Sequence, residues 1–314
     1  MTSRFAFTLA LVFVLAACSA PPEGSVGDSS VSVVTTTTQV GSIVDEIGGD
    51  DVALTILLEP GMEAHDFEIT PAAGAAIEGA DLVLKSGAGL ELWLDEAIET
   101  IGGADRVRDL SEGIELRAPD ELEAHVGEEE AGHEDELDPH YWLSAPNAIR
   151  MVENARDALT EVAPDAAEAI TERSAALIAR LEEAHAAIRG LIDEIPEDRR
   201  LIVTDHDALG YFIDEYGLTF GGSVFPSLDV TAEPSARDIE ELVTAIREHD
   251  ISAIFTESAV NPALSEAVAA ETDAQLVDEP LYTDSLGPAG SGAETLDGML
   301  LHNATVIHDE LVDG

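Results

Sequence analysis

The chain has 314 residues, with 65 Asp+Glu against 14 Lys+Arg for a formal charge of −51, and it is 45% hydrophobic but only 4% aromatic. Nucleic acid is excluded as a partner, because neutralising phosphates requires clustered Lys and Arg. Disorder is excluded as well, since apolar residues are ample and recur in periodic blocks, and the length suggests two domains or lobes of about 150 residues each.

At the start of the chain, Arg4 is followed by the apolar run 5–17. The run is too short to span a bilayer as a mature helix but suits the hydrophobic region of a secretory signal, so residues 1–17 are expected to direct export. It ends Leu15-Ala16-Ala17-Cys18, which resembles a bacterial lipoprotein signal; cleavage would leave Cys18 to carry lipid. A diacylglyceryl thioether supplies two acyl chains at once, enough for stable anchoring. Cys18 is the single cysteine, so no internal disulfide can form. Residues 18–30, rich in Pro, Gly and Ser, read as a flexible tether to the membrane. The expected location is extracytoplasmic, in the periplasm or on the outer face.

Residues 31–145 alternate β-rich runs (31–36, 52–58, 81–85) with helical periodicity (40–47, 72–77, 91–101), the pattern of an α/β lobe with a parallel sheet. Within it, 111–139 loses periodicity and is dominated by acids and Gly. Its His125 and His133 leave two readings, a solvated insertion or a weak metal-collecting loop. Residues 146–196 read as connecting helices (147–162 and 165–195), the second starting after Pro164. Residues 197–314 repeat the α/β theme, with strands at 201–204, 218–224, 252–256 and 275–277 and helices at 208–216, 235–249, 263–271 and 294–311. The fold class is α/β, two lobes bracketing a helical connector. Ligands of open parallel sheets sit beyond the carboxyl ends of the strands, so the cleft between the lobes is the expected site.

Four metal-capable side chains fall just after strand ends or where the acidic loop meets the connector. They are His65, His140, His206 and Asp284, two from each half. Three imidazoles and one carboxylate suit a tetrahedral divalent ion, above all Zn²⁺. Asp66, Asp207 and Glu257 are candidates to orient ring nitrogens or coordinating oxygens from behind. His185, His249 and His308 lie on helical patterns and read as surface residues. The chain has no HExxH, no GxSxG elbow and no P-loop, and Gly87-Ala88-Gly89 lacks the third glycine of a dinucleotide fingerprint.

The segments Pro60-Gly61-Met62-Glu63-Ala64-His65-Asp66-Phe67-Glu68, Asp138-Pro139-His140-Tyr141-Trp142-Leu143, Thr204-Asp205-His206-Asp207-Ala208-Leu209-Gly210-Tyr211-Phe212 and Asp284-Ser285-Leu286-Gly287 occur in that order. Together they resemble the zinc- and manganese-binding solute-binding lipoproteins of bacterial ABC transporters, over almost the whole mature chain. The resemblance implies two lobes joined by a long rigid helix, the metal between them held by His65, His140, His206 and Asp284, and delivery to a permease with its ATPase subunit, by a monomer. Manganese-type members commonly place Glu where this chain has His206, so zinc is expected ahead of manganese. Two departures concern helix contacts. Thr70-Pro71 leads into Ala72-Ala73 without the usual acid, and Thr295-Leu296 stands where Thr-Tyr is frequent. The alternatives are a surface adhesin or structural metal protein, and a secreted zinc hydrolase using Glu257 or Asp284 as base. A hydrolase needs an open coordination position, which a ligating Asp284 would close.

Overall fold

The computed structural model describes residues 30–118, 137–225 and 234–313. The signal, Cys18, nearly all of the tether, and His125 and His133 of the acidic loop lie outside the described residues.

The first sheet contains β1 (Val31–Thr35), β2 (Val52–Ile56), β3 (Leu82–Lys85) and β4 (Val107–Asp109), all parallel, in the order β2-β1-β3-β4. Between them run α1 (Thr38–Gly48), α2 (Pro71–Gly79) and α3 (Leu92–Ile101). Thr37 and Thr70 open α1 and α2 as N-caps, each hydroxyl accepting from a backbone N–H one turn on. β1 is central and apolar on both faces. Val33 belongs to the main core, while Val34 packs outward with Ile77, Val83 and Leu94 beneath α2 and α3.

The second sheet contains β5 (Leu201–His206), β6 (Thr219–Phe225), β7 (Ala253–Glu257) and β8 (Gln275–Leu281), again parallel, in the order β6-β5-β7-β8. Its outer face buries Val203, Val224 and Ile254 under α7 (Ala236–Glu248) and α8 (Ala263–Glu271). Ser235 and Asp238 form a reciprocal capping box at the start of α7. α6 (Gly210–Tyr216) follows β5, and α9 (Leu296–Asp313) follows β8 after a long loop.

Two helices lie between the sheets, α4 (Ala145–Val162) and the 28-residue α5 (Ala167–Glu194). On α5 the buried side chains are Ile170, Ser174, Leu177, Leu181, Ala184, Ile188 and Ile192, a single stripe at three- and four-residue spacing. The buried positions of α4 include Ala145, Ala148, Ala155 and Ala158, small side chains that allow close packing of its neighbours. α5 packs on α1 from the first lobe and on α6 and α9 from the second. The inner faces of both sheets and these helices therefore share one continuous core, from Val33 and Ile43 through Leu181 to Phe255 and Met299.

The expected strands and helices are present; β8 runs on to Leu281 where the sequence suggests an end at Val277, and three further differences stand out. β4 is an additional three-residue strand in a stretch to which the sequence pattern assigns no element. β5 runs on through Asp205 and His206, both fully buried, where the sequence suggests an end at Thr204. Nor are all three helical histidines surface residues, since His185 and His308 are half-buried, His185 with Nδ1 3.2 Å from the Tyr216 hydroxyl. Among the described residues no helix is long and apolar enough to cross a membrane.

Candidate metal centre

His65 and His140 come from the first half of the chain, and His206 and Asp284 from the second. The structure brings all four side chains together between the sheets. His65 sits in the turn between β2 and α2, where its N–H donates to Glu63 Oε1 at 3.0 Å. Trp93 pins the same turn by donating from Nε1 to the Ala64 carbonyl at 3.0 Å. His140 lies just ahead of a short 3₁₀ turn, Tyr141–Leu143, which leads into α4. Asp138 Oδ1 accepts from both the His140 backbone N–H (2.9 Å) and its ring Nδ1 (2.8 Å), which fixes the tautomer and leaves Nε2 facing the cleft. His206 is the last residue of β5, and its carbonyl accepts from the Thr204 hydroxyl and the Ala208 N–H at 2.7 and 3.0 Å, turning the chain sharply there. Asp284 lies three residues beyond β8.

The ligand-capable atoms converge closely. His65 Nε2 is 3.3 Å from His140 Nε2, His140 Nε2 is 3.1 Å from Asp284 Oδ1, and His206 Nε2 is 3.3 Å from Asp284 Oδ2. His65, His140 and Asp284 each offer an atom within 4.8 Å of the others; His206 joins them through the second carboxylate oxygen. His140, His206 and Asp284 are buried and His65 is half-buried.

Carboxylates stand behind the rings. Glu257, at the end of β7, places Oε2 2.9 Å from His206 Nδ1 and accepts the His206 backbone N–H on Oε1 at 3.0 Å. It also accepts the Thr283 hydroxyl, while its own N–H donates to Asp205 Oδ2 at 2.8 Å. Of the three acids expected here, Glu257 is thus in contact with a ring. Asp207 is buried next to His206 in the chain. Asp66 is exposed instead, because adjacency to His65 does not set direction within a turn. Asp138, in contact with His140, was part of the sequence motif, and its spacing two residues before the histidine was the available signal. Glu63 carries no such signal. One of its oxygens is spent on the His65 N–H, and the other is buried without a hydrogen-bond partner.

Charge follows from this wiring. Burial pulls the His140 imidazole down, but contact with Asp138 and Asp284 overcomes it and holds the group up at about 9. Burial likewise opposes the charge on His206, while Glu257 and Asp284 raise it well above the ordinary imidazole value. Asp284, despite its burial, is held well below the usual carboxylate range by His206 and His140. Burial and the negative charge of Glu257 push Asp205 up to about 6. Without cargo, then, the carboxylates around His140 and His206 favour the protonated rings, and the buried rings in turn favour the ionised Asp284.

Two surface cavities, about 780 Å³ beside Asp50, Asp51 and Asp165 and about 630 Å³ along β8 and α9, are lined by none of these residues.

Residues 33–310 match the family described as zinc-uptake complex component A, periplasmic. The chain is 31% identical over 301 residues to the manganese-binding lipoprotein MntA of Halalkalibacterium halodurans, covering 95% of each chain. It is also 31% identical over 284 residues to the zinc-binding protein TroA of Treponema pallidum, covering 89% of this chain and 88% of that one. The solved structure of TroA superimposes with a TM-score of 0.79 at 30% identity, over 90% of this chain and 99% of its own.

Proposed function

This chain belongs to the periplasmic zinc-uptake component A family, and from that premise we propose that its cargo is Zn²⁺, held between the lobes by His65, His140, His206 and Asp284. It is an extracytoplasmic metal-binding receptor of an ABC importer and not an enzyme. The family works with a membrane permease and its ATPase, to which this chain delivers the ion as a monomer tethered through lipid on Cys18.

One observation carries the ligand assignment. Donor atoms about 2.0–2.1 Å from a tetrahedral ion lie about 3.3 Å from one another; His140 Nε2 is 3.3 Å from His65 Nε2 and 3.1 Å from Asp284 Oδ1, and His206 Nε2 comes within 3.3 Å of the other Asp284 oxygen. Three imidazoles with one carboxylate form a nitrogen-rich set, and nitrogen donors favour Zn²⁺ over Mn²⁺. Neutral imidazoles and Asp284 leave one positive charge on the ion, which Asp138 and Glu257 offset from behind the rings. Manganese is the second reading, favoured by the identity to the manganese-binding relative.

Elemental analysis of the purified protein after exposure to mixed metals, followed by competition at equal free concentrations, tests the proposal. One Zn²⁺ per chain and preference for Zn²⁺ are expected; tighter binding of Mn²⁺ overturns the zinc assignment.

A further inference from the structure

The loop that carries Asp284 belongs to the second lobe by sequence, yet on either side of Asp284 several of its polar groups are taken up by the first lobe. The Thr283 carbonyl accepts from Gln39 Nε2 at 3.0 Å and from Trp142 Nε1 at 2.9 Å. The Leu286 N–H donates to Thr38 Oγ1 at 2.8 Å, and the Ser285 hydroxyl accepts the Gly61 N–H at 2.9 Å. On its own side the loop is held by the Thr283 hydroxyl, which donates to Glu257, and one residue earlier by Asn303 of α9, which accepts the Tyr282 N–H and donates to its carbonyl at 2.9 and 2.7 Å. Gln39 is fully buried in the first turn of α1, and Thr38 beside it is buried too, its hydroxyl donating to Gln39 Oε1 at 3.1 Å.

We propose that Gln39 is a positioning residue of the metal site: with Thr38 and Gly61 it latches the Asp284 loop across the cleft, and opening of this latch sets how fast cargo leaves. The proposal rests on Asp284 being a ligand. Asp284 reaches two imidazoles through its two oxygens, so a shift of its loop withdraws both contacts together. Nothing in the latch touches the ion, so it governs dwell time and leaves the choice of ion to the donor atoms.

The test is stopped-flow release of Zn²⁺ into excess chelator from full-length protein, comparing wild type, Gln39→Leu and Ser285→Ala. Leu matches the buried volume of Gln39 without its donor, and Ser285→Ala removes one acceptor with the least change in shape. Loss of one buried hydrogen bond is worth about tenfold, so release is expected about tenfold faster in Gln39→Leu and faster in the same direction in Ser285→Ala. The equilibrium preference between Zn²⁺ and Mn²⁺ should not move. Release within twofold of wild type in either folded variant overturns the latch, as does a change in metal preference, which would place Gln39 among the groups that touch the ion. Asp284→Asn separates the two ideas, because wild-type binding by that variant removes the ligand assignment whatever the latch variants do.

Discussion

His140 and His206 are each held from behind by an acid, Asp138 and Glu257, so their free nitrogens are aimed before any ion arrives. Removing that support while keeping the ring should weaken binding without abolishing it. Asp138→Asn and Glu257→Gln are each expected to lose about 10- to 100-fold in affinity, whereas His206→Ala should reduce binding below detection by calorimetry. Retention of wild-type affinity by His206→Ala would take that residue out of the site, and His206→Glu should move preference toward Mn²⁺. The pH dependence follows from the same contacts. Both buried imidazoles are raised above their ordinary value, so protons compete with metal for their nitrogens up to a higher pH than at a free imidazole. Acid stabilises the protonated, metal-free form, and affinity measured calorimetrically should therefore fall steadily from about pH 8 to about pH 5. A flat profile would be incompatible with imidazole donors.

At the level of elements, Arg180 on α5 ties the lobes together. Its guanidinium pairs with Glu46 of α1 and with Asp297 of α9, the latter at 3.0 Å. These groups are partly exposed, so the pairing is worth little in water, and Arg180→Met should cost about 1 kcal/mol. A lower urea midpoint with an unchanged slope is the expected signature; no change in midpoint would mean that the apolar stripe of α5 alone holds the lobes. The main elements were legible because buried parallel strands and long amphipathic helices write their period into the sequence. β4 was not, since Val107-Arg108-Asp109 is three residues long with two charges. The end of β5 was misplaced because Asp205 and His206 are polar, and only their partners Ser265 and Glu257, far along the chain, make their burial affordable. The four convergent side chains could be read from strand-end position. Gln39 could not, because its partner is a backbone carbonyl 244 residues away and leaves no trace in residue type.

For the whole molecule, a charge of −51 makes the folded state repel itself, most strongly when few counterions are present. The melting temperature should therefore rise as NaCl is increased from about 0.05 M to about 2 M, and a fall over that range would contradict a folded state limited by its own repulsion. Anchoring is tested by growth with labelled fatty acid: the wild type should be labelled and sediment with membranes, and Cys18→Ser should be released, whereas an unlabelled, soluble wild type would remove the lipid. The core that runs unbroken from one sheet through α4 and α5 to the other has a consequence for the recipient of the ion. A receptor whose halves swing apart announces its load by its outline. Here the halves are fused, so empty and filled molecules should give superimposable small-angle scattering curves. The permease must then learn whether an ion is aboard from a few side chains at the rim of the cleft, a message written in local contacts and not in shape.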